Sequence, residues 1–578
     1  MIARIIPAIR TPRRVSVFDY LIPDGMTVSR GDLVRIPFRA SQIIGVVKDL
    51  QPNPTDPKFA IKPLLGPYAD LHLTHDSVTL LERLAIHAFT SEATILHAWL
   101  GTCPKFPGAA TLVPSHAPTP PIREDRYLEN HLECPEGILS TANAFIKDGS
   151  KVLILAPWAA RAERIASRLN ARLLTSSMPM GARFSSWSSF VRGSTKCLVA
   201  TRIGAWLSAE ADVVILDEPE NDDHKQDELS PRFDARWITQ QANTLKRSFI
   251  QIGVTPRLAA DIPTQIPTLT PHLIAVDLHS RDWSPVAGLQ HRTLLAIEEA
   301  VAAGQPVTII HPIHGDRARL RCADCSWEPQ CASCGAGLRV EGGTTICSRC
   351  HKKTPAITIC ATCGSSNLSG SRPGRERLEK DLRATIASPD IRIVSIGEWN
   401  ASDVTPSHSL IVCTDLSLLS GACEDLRKKE RLIIAMRRLA DRANASSSTL
   451  CIQANYILLN EAKTWLTSDG LRDAFSHEFA ERMTFKLPPA YRLAKIIFRG
   501  NEPAIRTIFE RMLDDASRIG NVTIQGLYPV EHRGTREARW IAHVIAPQEL
   551  PESAFLSALT PAVASDALID LDPIAFFE

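Results

Sequence analysis

Residues 151–157 read KVLILAP, and three further runs of the same kind follow: KCLVATR (196–202), DVVILDE (212–218) and SFIQIGVTP (248–256). Each run is rich in Val, Ile and Leu, and polar stretches with a helical pattern, such as ARAERIASRLNARL, separate the runs. Continuously apolar strands that alternate with helices are typical of a parallel sheet covered on both faces. The sequence therefore predicts an α/β domain in the middle of the chain.

Similar runs continue on both sides of this region. PVTIIHP (306–312) is a further apolar run of the first region, before a cysteine-rich segment. After that segment, RIVSIGE (392–398), SLIVCTD (409–415) and STLCIQ (448–453) predict a second α/β region. Short Val/Ile-rich runs broken by turn residues up to Val47 predict a small β-barrel or sandwich at the N-terminus, and a helical pattern follows over about 76–100. The last hundred residues, with KIIFRG, VTIQGLYPV and WIAHVIAP, predict a small α+β unit.

Length and composition limit the class of protein. The chain has 578 residues, of which 44% are hydrophobic and 22% charged, a globular balance with room for several domains. Lys and Arg number 65 against 63 Asp and Glu, so nucleic-acid binding would need local basic patches rather than a basic surface throughout. The sequence contains no run of eighteen apolar residues and no signal-peptide pattern. We therefore expect a cytoplasmic protein without membrane contact.

Eight of the fourteen cysteines lie between Cys322 and Cys363, in four successive CxxC pairs. A CxxC turn offers two thiolates at the spacing that a tetrahedral Zn²⁺ requires, and eight thiolates complete two sites with no ligand position left for catalytic water. Free thiols, disulfides and iron–sulfur clusters are the alternatives. We predict a structural module with two zinc ions; spacing alone allows adjacent pairs, or an outer and an inner pair, to share an ion.

The order of these features resembles the bacterial PriA family of replication restart proteins, also called primosomal protein N′. The resemblance rests on five motifs: Phe18-Asp19-Tyr20, LRCADCSW (320–327) with the other cysteine pairs, DEPENDDHKQ (217–226), CTDLSLL (413–419) and RMTFKLPPAYRLA (482–494). It extends over most of the chain. It implies the lobes of a superfamily 2 helicase together with a β-rich N-terminal DNA-binding domain, a zinc-binding insertion and a small α+β C-terminal domain.

The resemblance also supplies domain boundaries and a zinc pairing. It implies a 3′-end DNA-binding domain (1–103), a proline-rich linker without the family's winged helix (104–130), a first helicase lobe (131–310), a zinc-binding module (311–370), a second lobe (371–480) and a C-terminal DNA-binding domain (481–578). One zinc ion would be held by the outer set and the other by the inner set: Cys322, Cys325, Cys360 and Cys363 for the first, and Cys331, Cys334, Cys347 and Cys350 for the second.

The motor motifs of the family are incomplete in this chain. A phosphate-binding loop needs glycine-rich backbone, a Lys and a Ser/Thr that ligates Mg²⁺, yet LENHLECPEG (128–137) stands where GxxxxGKT is expected, and no such loop occurs elsewhere. Asp217 and Glu218 remain as a vestige of the Walker B pair. The arginine motif, at 438–445, has lost both glycines and its last arginine. We therefore expect degenerate lobes with no catalytic residues, which do not use ATP and Mg²⁺.

Two residues match the family's pocket for a DNA 3′ end. Asp19 could accept a hydrogen bond from the terminal 3′-OH, and Lys62 could pair with the neighbouring phosphate. Alternatively, Asp19 caps a turn and Lys62 is a solvated charge.

Two further features have two interpretations each. The basic stretch 426–442 could bind phosphates or form the solvent-exposed face of an amphipathic helix. Trp327 could stack on a base, or belong to the core beside the cysteines.

The resemblance leads to one functional hypothesis with two alternatives. The first is a replication restart protein that recognises stalled or abandoned forks and promotes reloading of the replicative helicase, without helicase activity of its own. Its expected partners are forked and single-stranded DNA, other primosome proteins, single-stranded DNA-binding protein, and the replicative helicase or its loader. The alternatives are an active ATP-dependent 3′→5′ DNA helicase with a divergent nucleotide site, and a zinc-ribbon adaptor unrelated to replication.

Overall fold

The computed structural model contains four β-sheet domains and a cysteine-rich module. It describes the whole chain apart from these residues: 14, 53–59, 101–125, 130–135, 228, 244–247, 259–265, 281, 283, 313–319, 323–324, 326, 333–336, 342–343, 348–351, 367, 371–373, 387–389, 403–404, 421–426, 531–538, 566 and 575–578. None of the helices within the described part combines the length and apolar character needed to span a membrane.

The N-terminal domain is a five-stranded antiparallel sheet in the order β2-β1-β4-β3-β5. A backbone bridge between Leu21 and Pro63 brings β2 next to the segment that leads into β5, so the sheet curls around an apolar cluster, in agreement with the predicted small barrel. Two helices cover its other face. The elements are β1 (Ile2–Pro7), β2 (Phe18–Leu21), β3 (Asp32–Phe38), β4 (Ser41–Gln51), β5 (Gly66–His72), α1 (His75–His87) and α2 (Glu92–Leu100).

The first lobe is a six-stranded parallel sheet in the order β6-β13-β10-β7-β9-β8, with helices on both faces. The predicted runs KVLILAP, KCLVATR, DVVILDE and SFIQIGVTP supply four of its strands. The elements are β6 (Arg126–Glu129), α3 (Glu136–Lys147), β7 (Val152–Leu155), α4 (Ala159–Leu169), β8 (Arg172–Leu174), α5 (Met180–Val191), β9 (Cys197–Ala200), β10 (Val213–Asp217), β11 (Lys225–Gln226), β12 (Phe233–Asp234), α6 (Ala235–Asn243) and β13 (Ser248–Gly253).

Two of the expected boundaries around this lobe differ from the structure. The segment 104–130 was expected to be a linker, but β6 pairs with β13 at the edge of the first sheet; residues 104–125 lie outside the described part. The first lobe was expected to extend to residue 310, but three elements before that position belong to the second sheet and its helices. They are β14 (His272–Asp277), α7 (His291–Ala302) and β15 (Val307–Ile310).

The cysteine-rich module is inserted after β15 and contains only short antiparallel strands. One pair joins its two ends, and a three-stranded sheet lies between them. The strands are β16 (Leu320–Cys322), β17 (Leu338–Glu341), β18 (Thr344–Cys347), β19 (Lys353–Thr354) and β20 (Leu368–Gly370). Among the described residues of the module the apolar core is small, as expected for a fold held by metal.

The second lobe is completed after the module and has a parallel sheet in the order β14-β23-β22-β15-β21. Its helices bury apolar faces on both sides of that sheet. The remaining elements are α8 (Arg375–Thr385), β21 (Ile391–Val394), α9 (Ile396–Ala401), β22 (Leu410–Cys413), α10 (Lys428–Ala445), β23 (Thr449–Ala454), α11 (Tyr456–Thr464) and α12 (Ser468–Thr484).

The C-terminal domain is an α+β unit, as the sequence predicts. Its four antiparallel strands follow the order β25-β26-β24-β27, and their apolar face packs on three helices. The elements are β24 (Tyr491–Arg499), α13 (Glu502–Ile519), β25 (Thr523–Val530), β26 (Arg539–Pro547), α14 (Glu552–Ala558), α15 (Thr560–Ala564) and β27 (Leu568–Leu571).

Candidate functional site

The acidic pair Asp217 and Glu218 lies at the carboxyl end of β10, one of the inner strands of the first lobe. Both residues are buried, at 0% and 1% exposure. Glu218 has a φ of 51°, a left-handed conformation that is uncommon for a side chain other than glycine. Its backbone N–H donates to the carbonyl of Ile252 at 2.7 Å, which holds the turn against the neighbouring strand β13.

Arg161 is the partner of Asp217. It lies in the first turns of α4, the helix that follows the neighbouring strand β7, and it is 1% exposed. Its Nη2 donates to Asp217 Oδ1 at 2.8 Å, and its Nε donates to Asp217 Oδ2. The same Nε lies 3.8 Å from Glu218 Oε1. Burial disfavours the guanidinium charge, but these carboxylates outweigh that effect and raise the pKa of Arg161.

A second arginine reaches the acidic pair from the other lobe. Arg438, on α10, donates through Nη2 to Glu218 Oε2 at 2.7 Å and to Glu220 Oε1 at 3.1 Å. Asn221 Nδ2 donates to the same Oε2 of Glu218 at 2.9 Å. Although burial favours the neutral acid, the cations Arg438 and Arg161 outweigh it and hold the pKa of Glu218 below its usual range. Glu218 is therefore an ionised carboxylate with two hydrogen-bond donors on one oxygen.

Two further buried groups complete this cluster. Burial raises the pKa of Glu220 to about 7 despite its contact with Arg438, and its Oε2 has no hydrogen-bond partner among the described residues. His224 Nε2 lies 2.7 Å from the carbonyl oxygen of Asp217. Burial and the nearby Arg236 lower the pKa of His224 to about 4, so its imidazole is neutral and donates this bond. Side chains of the protein thus surround Asp217 and Glu218 on several sides.

This geometry does not fit a Mg²⁺–nucleotide site. Mg²⁺ takes an octahedral shell of oxygen ligands and is usually held by one or two carboxylates, several waters and the phosphates of the substrate. Here the oxygens of Asp217 accept from Arg161, and Oε2 of Glu218 accepts from Arg438. Residues 130–135, which include most of the segment found in place of the phosphate-binding loop, lie outside the described part.

The basic stretch 426–442 is mostly internal, which favours the amphipathic-helix interpretation over phosphate binding. Arg437 donates to three backbone carbonyls, and Arg442 donates to the carbonyl of Trp399 and lies 4.4 Å from the centre of its ring. Arg427 and Arg431 pair with Asp222 of the first lobe, at 3.3 and 3.2 Å. Together with Arg438, at least five of the seven basic side chains in this stretch therefore contact the protein itself. Lys428 and Lys429 are half-buried.

The outer cysteines form a second candidate site. Their four sulfurs lie within 4.8 Å of one another, with Cys322 Sγ 3.6 Å from Cys363 Sγ and Cys325 Sγ 3.4 Å from Cys360 Sγ. Four sulfurs at about 2.3 Å from a tetrahedral Zn²⁺ would be about 3.8 Å apart, so the cluster fits that ion. This is the outer set that the resemblance implied.

The inner cysteines are described only in part. Cys331 and Cys347 are buried and pack together with Leu338, whereas Cys334 and Cys350 lie outside the described residues. The second zinc site therefore stays a prediction. Trp327 is half-buried beside the outer set, and its carbonyl accepts from the N–H of Cys322 at 2.8 Å.

The two residues matched to a DNA 3′ end lie close together in the N-terminal domain. Asp19 is on β2, and the carbonyl of Lys62 accepts from the N–H of Leu21, two residues further along that strand, at 3.0 Å. Both side chains are exposed. The Asp19 carboxylate has one distant ion pair, at 3.9 Å from Arg4 Nε, with more than half of its side-chain surface in solvent. Both are accessible to an external ligand, and their role stays a prediction.

Sequence reasoning missed Arg161, Glu220 and His224. For Arg161 a signal was present: it shares the buried face of α4 with Ala162, Ile165 and Ala166, and a charge on an apolar helix face needs a buried partner. The partner could not be named because β7 and β10, which bring Arg161 to Asp217, are far apart in sequence but adjacent in the sheet.

Comparison with known proteins agrees with these features. Residues 8–101 match the family model of the PriA 3′ DNA-binding domain (3'BD). The chain is 20% identical to replication restart protein PriA of Rickettsia conorii, over 84% of this chain and 86% of that protein, and 21% identical to the Rickettsia felis protein of the same name, over 88% and 89%.

A solved structure of a DEAD box protein from Methanococcus jannaschii is also similar, at 11% identity over 57% of this chain and 78% of that chain. Its TM-score is only 0.23, so the description of the two lobes rests on their strand order. The matches to these two PriA proteins each cover more than four fifths of this chain, and a model specific to PriA covers most of the N-terminal domain. The chain is thus similar to replication restart protein PriA over most of its length.

Proposed function

We propose that this protein recognises stalled or abandoned replication forks and promotes reloading of the replicative helicase, without hydrolysing ATP or unwinding DNA itself. The restart role is supported by the PriA relatives and by the match of residues 8–101 to a PriA DNA-binding domain. The lack of motor activity is supported by the arginine contacts at Asp217 and Glu218.

The pairing of these two carboxylates is the observation that carries the second part of the proposal. In nucleotide-hydrolysing motors, an acidic residue at the end of a strand holds Mg²⁺, which neutralises charge on the β- and γ-phosphates. In this chain, Arg161 already neutralises Asp217, and Arg438 neutralises Glu218. Because guanidinium groups stay protonated at physiological pH, a metal ion would have to displace both arginines from a buried site.

The space between the lobes supports the same conclusion. A cavity next to Glu220 and Arg438, lined also by Asp222, Arg431 and Trp399, has a volume of about 150 Å³. Sites for small molecules usually measure about 300–1,000 Å³, so this cavity is small for a nucleotide. The sequence moreover contains no Gly-Lys-Ser/Thr loop to bind phosphates.

The N-terminal domain would provide the fork recognition. Asp19 would accept a hydrogen bond from the 3′-OH of a nascent strand, and Lys62 would contact the adjacent phosphate. Both side chains are exposed on neighbouring segments, as such a pocket requires. The zinc module, with ions held by the outer and inner cysteines, would be structural and could supply a surface for primosome proteins or the helicase loader.

The competing function is an ATP-dependent 3′→5′ helicase with a divergent nucleotide site. An assay on forked DNA with a labelled lagging strand distinguishes these two functions. The proposed function predicts saturable fork binding, measured by fluorescence anisotropy, and no release of the labelled strand when ATP and Mg²⁺ are added. Release that depends on ATP would favour the helicase. Binding no tighter than to blunt duplex of equal length would contradict fork recognition.

A further inference from the structure

The buried cluster of Asp217, Glu218, Glu220, Arg161 and Arg438 joins the two lobes. We propose that Arg161 and Arg438 form a built-in clamp, in which Arg161 takes the place of a metal ion at Asp217 and Arg438 crosses from the second lobe to the first. The clamp would keep the lobes in one arrangement whether or not a nucleotide is present. This goes beyond the proposed function, because a protein that hydrolyses no ATP could still have mobile lobes.

Arg161 provides the part of the clamp within the first lobe. A guanidinium that donates two parallel hydrogen bonds to one carboxylate is the strongest of the common ion-pair geometries. Arg161 and Asp217 have this geometry with 1% and 0% exposure, so solvent screens the pair little. The guanidinium supplies positive charge at the end of β10, where a metal would otherwise be needed to offset two adjacent carboxylates.

Arg438 provides the part that crosses between the lobes. It extends from α10, which packs on the second sheet, to Glu218 and Glu220 in the segment that follows β10 of the first sheet. Its side chain is 11% exposed, and those of the two glutamates are 1% and 0% exposed. Separating the lobes would break the contacts that Arg438 makes with Glu218 and Glu220, which opposes opening.

A second set of contacts lies about two to three turns away, at the N-terminal end of the same helix and at the residue before it. Arg431 Nε is 3.2 Å from Asp222 Oδ2, and Arg427 Nη1 is 3.3 Å from Asp222 Oδ1. Burial opposes the Asp222 charge, but these arginines and Arg236 outweigh it and lower the pKa of Asp222. α10 and the residue before it therefore contact the first lobe through three arginines and three carboxylates, and none of these contacts requires a ligand.

In two-lobed proteins, a ligand that contacts both lobes can favour the closed state, so that lobe closure depends on the ligand. A clamp of internal ion pairs would remove that dependence. It would turn the two lobes into one body that presents the N-terminal domain, the zinc module and the C-terminal domain in constant positions. Such a body is suited to recognising a DNA structure rather than moving along a strand.

The clamp can be tested by measuring the distance between the lobes. Spin labels are attached to non-canonical residues introduced at Ser167 on α4 and Lys380 on α8, both exposed, so that the native cysteines stay unmodified. Double electron–electron resonance on the full chain is recorded alone, with ATP and Mg²⁺, and with forked DNA. The variant Arg438→Met removes the interlobe guanidinium, and Lys429→Met is the matched control, because it removes a positive charge from the same helix without affecting these pairs.

We expect one narrow distance distribution for the unaltered protein, unchanged by ATP and Mg²⁺. Arg438→Met should broaden it towards longer distances, and Lys429→Met should not. A broad distribution without nucleotide, or one that nucleotide narrows, would overturn the clamp, as would an unchanged distribution in Arg438→Met. If that variant fails to fold, the nucleotide comparison on the unaltered protein still decides. ATP turnover is measured separately, so hydrolysis by a protein with fixed lobes would contradict the proposed function alone.

Discussion

Arg161 and Asp217 form a buried pair with two hydrogen bonds between the guanidinium and the carboxylate, joining α4 to the end of β10. In a nucleotide-driven lobe this carboxylate would face a hydrated metal ion, yet here it faces a protein cation that cannot leave the site. The pair therefore holds the end of β10 against α4 in a chain whose sequence contains no Gly-Lys-Ser/Thr loop.

Removing both members of this pair should cost less stability than the sum of the two single removals. Arg161→Met leaves the carboxylate of Asp217 buried without its strongest partner, and breaking a buried pair in this way typically costs about 3–5 kcal/mol. Asp217→Asn removes the opposing charge, so the double variant should lose clearly less than the sum of the two single changes. Hydrogen exchange of the β10 amides gives the free energy of local opening for each variant. Additive losses would mean that the two side chains do not interact.

A second buried cluster makes the stability of the C-terminal domain depend on pH. Asp570 forms ion pairs with two residues of the first lobe: its Oδ1 lies 2.9 Å from Lys225 Nζ, and its Oδ2 lies 2.9 Å from Arg232 Nη1. Lys495 on β24 is paired with Asp570 on β27 in the sheet. Burial, helped by Arg232 and Lys225 and opposed by Asp570, lowers the pKa of Lys495 from 10.5 to about 8. At pH values between about 8 and 10.5, Lys495 is therefore mostly protonated in the unfolded chain and mostly deprotonated in the folded chain.

The contribution of Lys495 to stability should therefore rise as the pH increases from about 8 to about 10.5. Over this window the free energy of unfolding of the unaltered protein should increase relative to that of Lys495→Met. Lys463→Met, which removes an exposed lysine, should show no such pH-dependent difference. Guanidinium chloride titrations at several pH values measure these differences. A difference between the unaltered protein and Lys495→Met that is constant with pH would show that the lysine has an ordinary pKa.

The cysteine module should bind two zinc ions per chain. Cys360→Ser removes one ligand of the outer set and should abolish one ion, since the remaining three sulfurs leave the tetrahedral shell incomplete. Cys347→Ser should abolish the other ion. Cys413→Ser changes a buried cysteine outside the module and should leave the count at two. Native mass spectrometry gives the count directly, and one ion or none in the unaltered protein would refute the prediction.

Asp19 should determine the preference for a DNA 3′ end. Forks with a leading-strand 3′-OH at the junction should bind more tightly than the same forks with a 3′-phosphate, because the phosphate repels the carboxylate and removes the hydroxyl donor. Asp19→Ala should remove this preference with little loss of general affinity, whereas Lys62→Ala should weaken binding to both ends. Asp24→Ala, on the turn after β2, serves as a charge-matched control. Equal binding of the two ends by the unaltered protein would exclude the pocket.

The sequence predicts the two parallel sheets because their strands are buried on both faces and read as continuous apolar runs. It fails at the boundary between the lobes: β14 (His272–Asp277) is a half-buried edge strand, and its weaker apolar pattern hides the start of the second sheet. The arginines of α10 were ambiguous for a related reason. A helix rich in Arg looks solvent-exposed in sequence, and only the fold shows that Arg437 reaches backbone carbonyls while Arg438 reaches Glu218.

The cysteine spacing predicts metal binding but does not choose a pairing, because adjacent and outer pairs are equally compatible with CxxC turns. The pairing implied by the resemblance agrees with the outer cluster because β16 and β20 join the two ends of the module. The Arg161–Asp217 contact could not be predicted, since it depends on which strands are neighbours in the sheet.

ATP turnover stimulated by forked DNA shows most directly whether the two lobes have lost motor activity. The unaltered protein and Asp217→Ala should both show hydrolysis at the background level, with and without DNA. Loss of the phosphate-binding loop, its Lys and a free arginine finger removes the groups that position and neutralise the γ-phosphate, and the finger alone is worth about 10³–10⁵ in rate. Fork-stimulated turnover that disappears in Asp217→Ala would show that the acidic pair still operates a motor, and would contradict the account.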